Sequence, residues 1–173
     1  MRASLFSRHL PGLALALALA LPQMSAWAQQ PGEKIPTLQG RTLAGQPFSL
    51  AELRGKVALV VFWSTDCAVC HDKMHELRAN AQGWRGKPFE LITVSMDRKL
   101  QDTADYERLV LATVVNKNER LLSLWAGDAA YQSSLARPAH LPAAYLIDKA
   151  GKLVEQYNGR IPPEAWDRIA DLL

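Results

Sequence analysis

The side chains best suited to chemistry in this chain are Cys67 and Cys70, its two cysteines, with Ala68 and Val69 between them and His71 immediately after. No third cysteine is present to make a structural bridge, so the pair reads as chemistry rather than a staple. A thiol at a helix N-terminus faces unpaired backbone N–H groups and the positive end of the helix dipole. Both favour thiolate, the form that attacks disulfides. Two other chemistries are written in the same residues. Cys67-Ala68-Val69-Cys70-His71 has the form of a c-type haem attachment site, with Met74 or Met96 as candidates for the other axial ligand. Thiolates with the imidazole of His71 or His75 could instead hold Cu(I) or zinc.

The elements that must position the pair follow from the apolar pattern. Val57 to Trp63 is a nearly continuous apolar run, as expected of a strand buried on both faces. From Cys67 a helix is predicted to about Gln82, with Cys70, Met74, Leu77 and Ala81 on its apolar stripe and Asp72, Lys73, Glu76 and Arg78 opposite. Gly83 is its expected C-terminal cap. Phe89 to Met96 is a second long strand, and a strand–helix–strand connection of this length implies parallel pairing by a right-handed crossover. Leu38 to Leu53 predicts a hairpin and a brief turn, Asp105 to Val115 a helix, and Ala129 to Ala136 a short helix. Leu121 to Trp125 is ambiguous between helix and strand. Ala143 to Ile147 and Lys152 to Tyr157 predict a hairpin, and Pro162-Pro163 opens a last helix. The fold class is α/β, with parallel strands early and a hairpin late.

The N-terminus carries Arg2, Arg8 and His9, then the apolar stretch Leu13 to Leu21, then Ala26-Trp27-Ala28. A basic end, a short apolar core and a small-x-small site describe a secretory signal cleaved after Ala28. The apolar run falls short of the ~20 residues needed to span a bilayer, so a retained membrane anchor is the lesser expectation. Residues 29–36 read as a flexible lead-in and 37–173 as one domain. Without the signal, 18 of the 20 basic residues remain against all 17 acids, a net charge of +1. That balance gives no support for nucleic-acid binding.

Three landmarks occur in order: Leu53-Arg54-Gly55-Lys56-Val57 leading into the first long strand; Phe62-Trp63 followed by Cys67-x-x-Cys70; and Leu141-Pro142 before Tyr145-Leu146-Ile147-Asp148 and Gly151-Lys152-Leu153-Val154. Together they resemble the thioredoxin superfamily, and within it the exported TlpA/ResA-like thiol-disulfide oxidoreductases. The resemblance implies a thioredoxin-like fold, a central mixed sheet flanked by helices with an N-terminal β-hairpin. It further implies that Cys67 is the attacking thiolate and Cys70 the buried resolving thiol, one helical turn away. Pro142 would be a cis-proline against the cysteines, and Leu141 would offer backbone groups to an extended substrate. No cofactor beyond the Cys67–Cys70 disulfide is implied. The expected partners are a periplasmic client protein with cysteines and a membrane electron donor of thiol-disulfide type, and the chain is expected to be a monomer.

The departures from the family pattern bear on tuning. Asp66 stands where tryptophan often precedes the first cysteine, and an ionised carboxylate there opposes thiolate at Cys67. Less stabilised thiolate favours the disulfide form and tilts the pair towards a reductant; alternatively Asp66 is a helix-capping residue. Val61 replaces the buried acid that thioredoxins carry two residues before Trp63. His75 and His140 replace a common proline and glycine. Trp63, Asp66, His71 and His140 are therefore the candidate tuning residues, although His71 and His75 also fit a merely solvated helix face.

The haem reading does not call for a buried strand ending in Phe62-Trp63, nor for the Leu141-Pro142 hairpin segment. Met74 lies too close to His71 on one helix to reach the opposite haem face. A peroxidase site would want a threonine and a single low-pKa cysteine in another loop context, which Thr65 alone does not supply. The remaining alternatives are a metal-handling protein of thioredoxin-like fold and a disulfide-forming oxidant. The expected function is a reductant of client disulfides in the periplasm, of the cytochrome c maturation or copper-site assembly type.

Overall fold

The computed structural model describes residues 35–113 and 121–173. The secretory-signal reading, most of the lead-in and positions 114–120 lie outside these residues. A five-stranded sheet is ordered β5-β4-β3-β7-β8, from β3 (Val57–Trp63), β4 (Phe89–Ser95), β5 (Leu122–Trp125), β7 (Ala143–Ile147) and β8 (Leu153–Asn158). β3, β4 and β5 run parallel, whereas β7 pairs antiparallel with both β3 and β8. All seven residues of β3 are buried, which is why its sequence shows no alternation.

The pleat sorts β3 between two apolar clusters. Val57, Leu59, Val61 and Trp63 face Cys70, Met74 and Leu77 of helix α1 (Ala68–Gly83) and Ala165 and Ile169 of helix α3 (Glu164–Leu172). Ala58, Val60 and Phe62 face Leu38, Phe48 and Leu50 on the other side. Those residues come from β1 (Leu38–Arg41), β2 (Pro47–Ser49) and a 3-10 turn at Leu50–Leu53, the expected N-terminal hairpin and turn. A short strand β6 (Gln132–Ser133) adds to β1 and completes a three-stranded sheet on that face.

Helix α2 (Leu100–Thr113) packs Tyr106 against the first cluster and joins Glu107 to Arg78 of α1. It begins five residues before the expected Asp105 start, and the end expected at Val115 lies outside the described residues. The ambiguous Leu121 to Trp125 segment is a strand, because Leu122 to Trp125 pair with Ile92 to Ser95.

Three local expectations are corrected. Ala129 to Ala136 is not helical. The Asp128 carboxylate instead accepts from Ala130 N at 2.7 Å and closes a turn. Gln132 and Ser133 then pair with the edge of β1, and Ser134 N donates to Thr37 O, so the segment's backbone groups find partners across the sheet. Gly83 is the last residue of α1 and not its cap. Trp84 N donates to Asn80 O at 3.1 Å, and the Trp84 ring is wedged between Phe89 and Trp166.

Nor is the polar side of α1 wholly solvated. Lys73 is buried and its Nζ lies 2.6 Å from Glu76 Oε2, while the Arg78 and Glu107 side chains keep only 12% and 11% exposure. α2 and α3 both pack beside α1, so the stripe it buries is wider than one neighbour would require.

Candidate redox site

β3 and β4 are parallel and in register, with Trp63 opposite Ser95, so both strands run out at the same level. There Ser64, Thr65 and Asp66 carry the chain from β3 into α1. Cys67 is the N-cap of that helix, with extended backbone (φ −93°, ψ 99°), and its Sγ accepts from Cys70 N at 3.1 Å. Cys70 N is shared between this sulfur and Cys67 O at 3.0 Å, at the helix end where backbone donors lack intrahelical partners. Asp66, the alternative cap, is one residue too early; its carboxylate accepts from Ser64 Oγ instead.

A disulfide joins Cys67 and Cys70, with Cα atoms 5.2 Å apart. The two sulfurs differ in surroundings. Cys70 is 1% exposed in the cluster that also holds Val61 and Met74, whereas Cys67 is half-buried at the edge of that cluster. Disulfide exchange uses this asymmetry: a sulfur that a client can reach and a second, sheltered one that closes the ring.

The Trp63 ring lies beneath the site, 1% exposed, with its centroid 4.8 Å from Tyr106. Tyr106 is also 5.2 Å from the ring of His71. Burial pushes the Tyr106 phenol above its ordinary value, against the nearby Arg78 guanidinium. Tyr106 therefore serves as a neutral platform at neutral pH.

His71 is tied into the site by a contact that its helical position does not reveal. Its Nε2 lies 2.8 Å from Thr65 O. A carbonyl only accepts, so Nε2 carries the proton and Nδ1 is left free for a second partner. Thr65 is held in turn by Asp97, which accepts from Thr65 N at 2.8 Å and from Thr65 Oγ1 at 2.9 Å on one carboxylate oxygen. The sequence gives Asp97 only as the residue that ends a strand.

The Leu141–Pro142 peptide is cis, Pro142 is buried, and Leu141 packs against both apolar clusters. A groove of about 360 Å³ runs between this loop and the end of β4, lined by Thr65, Asp66, Asp97, Arg98, Arg137 and Leu141 among others. His140 is exposed on the same loop, and His75 is exposed on α1. Among the described residues, no three His, Cys, Asp or Glu side chains gather as a metal-holding cluster.

A mixed sheet that delivers a helix-capping CxxC pair from its central strand, with a cis-proline loop ahead of an antiparallel hairpin, defines a thioredoxin-like fold with a redox disulfide. Residues 31–158 match the AhpC/TSA family, and the chain belongs to that family. The thiol-disulfide oxidoreductase ResA of Bacillus thuringiensis (strain Al Hakam) is 25% identical over 133 residues, covering 75% of this chain and 70% of that one. ResA of Bacillus anthracis matches to the same extent.

Solved structures agree on the fold. A thioredoxin-family thiol:disulfide interchange protein from Chlorobium tepidum TLS superposes with a TM-score of 0.62 at 20% identity, covering 79% of this chain and 92% of that one. StoA from Bacillus subtilis gives 0.61 at 13% identity, covering 80% and 99%. The chain is thus a thiol-disulfide oxidoreductase of thioredoxin-like fold, as its landmarks imply.

Proposed function

We propose that this oxidoreductase works as an exported reductant, opening disulfides in periplasmic client proteins of the cytochrome c maturation or copper-site assembly type. In the reduced enzyme the Cys67 thiolate attacks one sulfur of a client disulfide. A Cys67–client bond forms and the client's other sulfur leaves as thiolate. The Cys70 thiol gives up its proton to water or a nearby base, and its sulfur attacks Cys67 Sγ. That step releases the client as a dithiol and leaves the Cys67–Cys70 disulfide, so two electrons have passed to the client. A membrane-bound dithiol donor must then restore the pair by the same exchange in the opposite sense.

The observation that carries the direction is Asp66, an exposed carboxylate one residue before the attacking sulfur. Its charge opposes thiolate at Cys67, so the dithiol gives up electrons more readily. The N-terminal pattern of Arg2, Arg8, Leu13 to Leu21 and Ala26-Trp27-Ala28 supports export with cleavage after Ala28. The Leu141–Pro142 loop and the groove beside it would receive an extended client segment, with the enzyme acting as a monomer.

The test is the reduction potential of the purified protein, equilibrated in glutathione or dithiothreitol buffers. A value near or below the ~−270 mV of thioredoxin supports a dedicated reductant. A value near the ~−120 mV of the strongest exported oxidants overturns it in favour of disulfide formation.

A further inference from the structure

Asp97 concentrates more hydrogen bonds than a residue in a surface turn needs. One carboxylate oxygen takes Thr65 N and Thr65 Oγ1, as described above; the other lies 2.9 Å from Ser95 Oγ and 2.7 Å from Thr103 Oγ1. Both hydroxyl-bearing residues are fully buried. Its own N–H donates to Ser95 Oγ at 3.1 Å, and its carbonyl accepts from Trp125 Nε1 at 2.8 Å. Asp97 therefore ties the end of β4 to helix α2 and to the neighbouring strand β5. The one partner in the set outside a helix or strand is Thr65, on the strand-to-helix loop.

From Thr65 the connection runs on to the backbone of Cys67. Thr65 O receives His71 Nε2, His71 N donates to Cys67 O at 3.2 Å, and Cys67 N donates to Ser64 O at 3.3 Å. We propose that Asp97 is a positioning residue for the redox centre: through Thr65 it fixes the Ser64–Asp66 loop and the His71 ring, and with them the orientation of Cys67 for attack. Hydrogen bonds to an ionised carboxylate are roughly twice as strong as neutral ones, which suits a carboxylate to this task. Sulfur exchange depends on where the attacking sulfur stands, so a small displacement of the loop costs rate without unfolding the sheet. The inference rests on Cys67–Cys70 being the redox centre and is independent of the direction in which electrons flow.

The experiment compares wild type, Asp97→Ala, Asp97→Asn, Thr65→Val, His71→Ala and the double variant Asp97→Ala/His71→Ala. It reads the rate of Cys67 with glutathione disulfide, and the equilibrium constant of the pair against glutathione, at a temperature well below unfolding. Asp97→Ala is expected to lose about tenfold in rate and to shift the equilibrium constant several-fold. Asp97→Asn keeps an oxygen for Thr65 and presents an amide to the Ser95 and Thr103 hydroxyls, so it should recover to within about threefold of wild type. Thr65→Val, which removes one bond and keeps the shape, should lose about threefold and stands in if Asp97→Ala does not fold.

Because Asp97 acts through His71, the double variant should be slower than Asp97→Ala by much less than the factor that His71→Ala alone costs the wild type. Variants that melt earlier but keep wild-type rate and equilibrium constant would reduce Asp97 to a structural residue and overturn the proposal, as would fully multiplicative effects. Wild-type protein that fails to exchange with glutathione disulfide would instead overturn the redox centre itself.

Discussion

The body of β3 and the loop that leaves it are built on opposite terms. Val57 to Trp63 present seven buried side chains and no charge, and they hold α1 and α3 on one face and the N-terminal hairpin on the other by apolar contact. Each of the strand's buried Val, Leu and Phe side chains is worth about 1.5–3 kcal/mol on burial. Two residues further on, Thr65 makes no such contribution and is held by directed bonds to Asp97, each worth about 1 kcal/mol net. The strand carries stability, and the polar shelf at its end carries geometry. Stability and reactivity should therefore separate under mutation.

The sharpest separation lies at the sulfurs. Cys67→Ser should reduce disulfide exchange to background while leaving thermal unfolding of the reduced protein nearly unchanged. Cys70→Ser should accumulate a mixed disulfide with any client peptide, visible by mass on non-reducing analysis, because the resolving sulfur is gone. In the strand the balance reverses. Leu59 is fully buried, and Leu59→Ala should cost about 3 kcal/mol in denaturant unfolding yet leave the exchange rate per folded molecule within about twofold.

Between these extremes is the Arg78–Glu107 pair, which links α1 to α2 with a contact of 3.0 Å. Two Arg78 nitrogens, Nε and Nη1, are already buried without partners. Glu107→Gln removes the compensating charge and should destabilise by about 2 kcal/mol, again with little effect on exchange.

The smallest effect belongs to Glu76. Burial alone would raise its carboxyl, but hydrogen bonds from Lys73 and Trp166, with the charges of Lys73 and Arg160, hold it below the ordinary 4.5. A lowered folded value means that its stabilisation is complete above about pH 4.5 and is lost as pH falls through the folded value. With 39% of the side chain exposed, solvent limits the contribution to about 0.5 kcal/mol. Stability curves of Glu76→Gln and wild type should therefore differ slightly at pH 7 and converge in acid.

The same contrast governs what could be read from the sequence. The long strands were legible because burial on both faces leaves an unbroken apolar run, and α1 because its buried positions recur at helical spacing. The Cys67–Cys70 pair and the Leu141-Pro142 landmark were legible because their meaning is local. Ala129 to Ala136 misled because its local preference is helical, whereas its backbone partners are on β1, far away in the chain. Lys73 looked like a solvated residue because sequence does not say that a helix has neighbours on two sides. Asp97 was missed for the most physical reason of all. It is an aspartate at the end of a strand, where turns commonly begin, and its partner Thr65 lies 32 residues earlier. Only the parallel register of β3 and β4 brings them together.

The site holds one reachable sulfur, at Cys67, and one sheltered sulfur, at Cys70. The most direct measurement is alkylation of the fully reduced protein with limiting iodoacetamide, followed by peptide mass mapping of each cysteine. Modification of Cys67 well before Cys70 is the result predicted from a half-buried helix cap beside a buried core thiol. Equal labelling, or Cys70 first, would contradict the assignment of attacking and resolving roles.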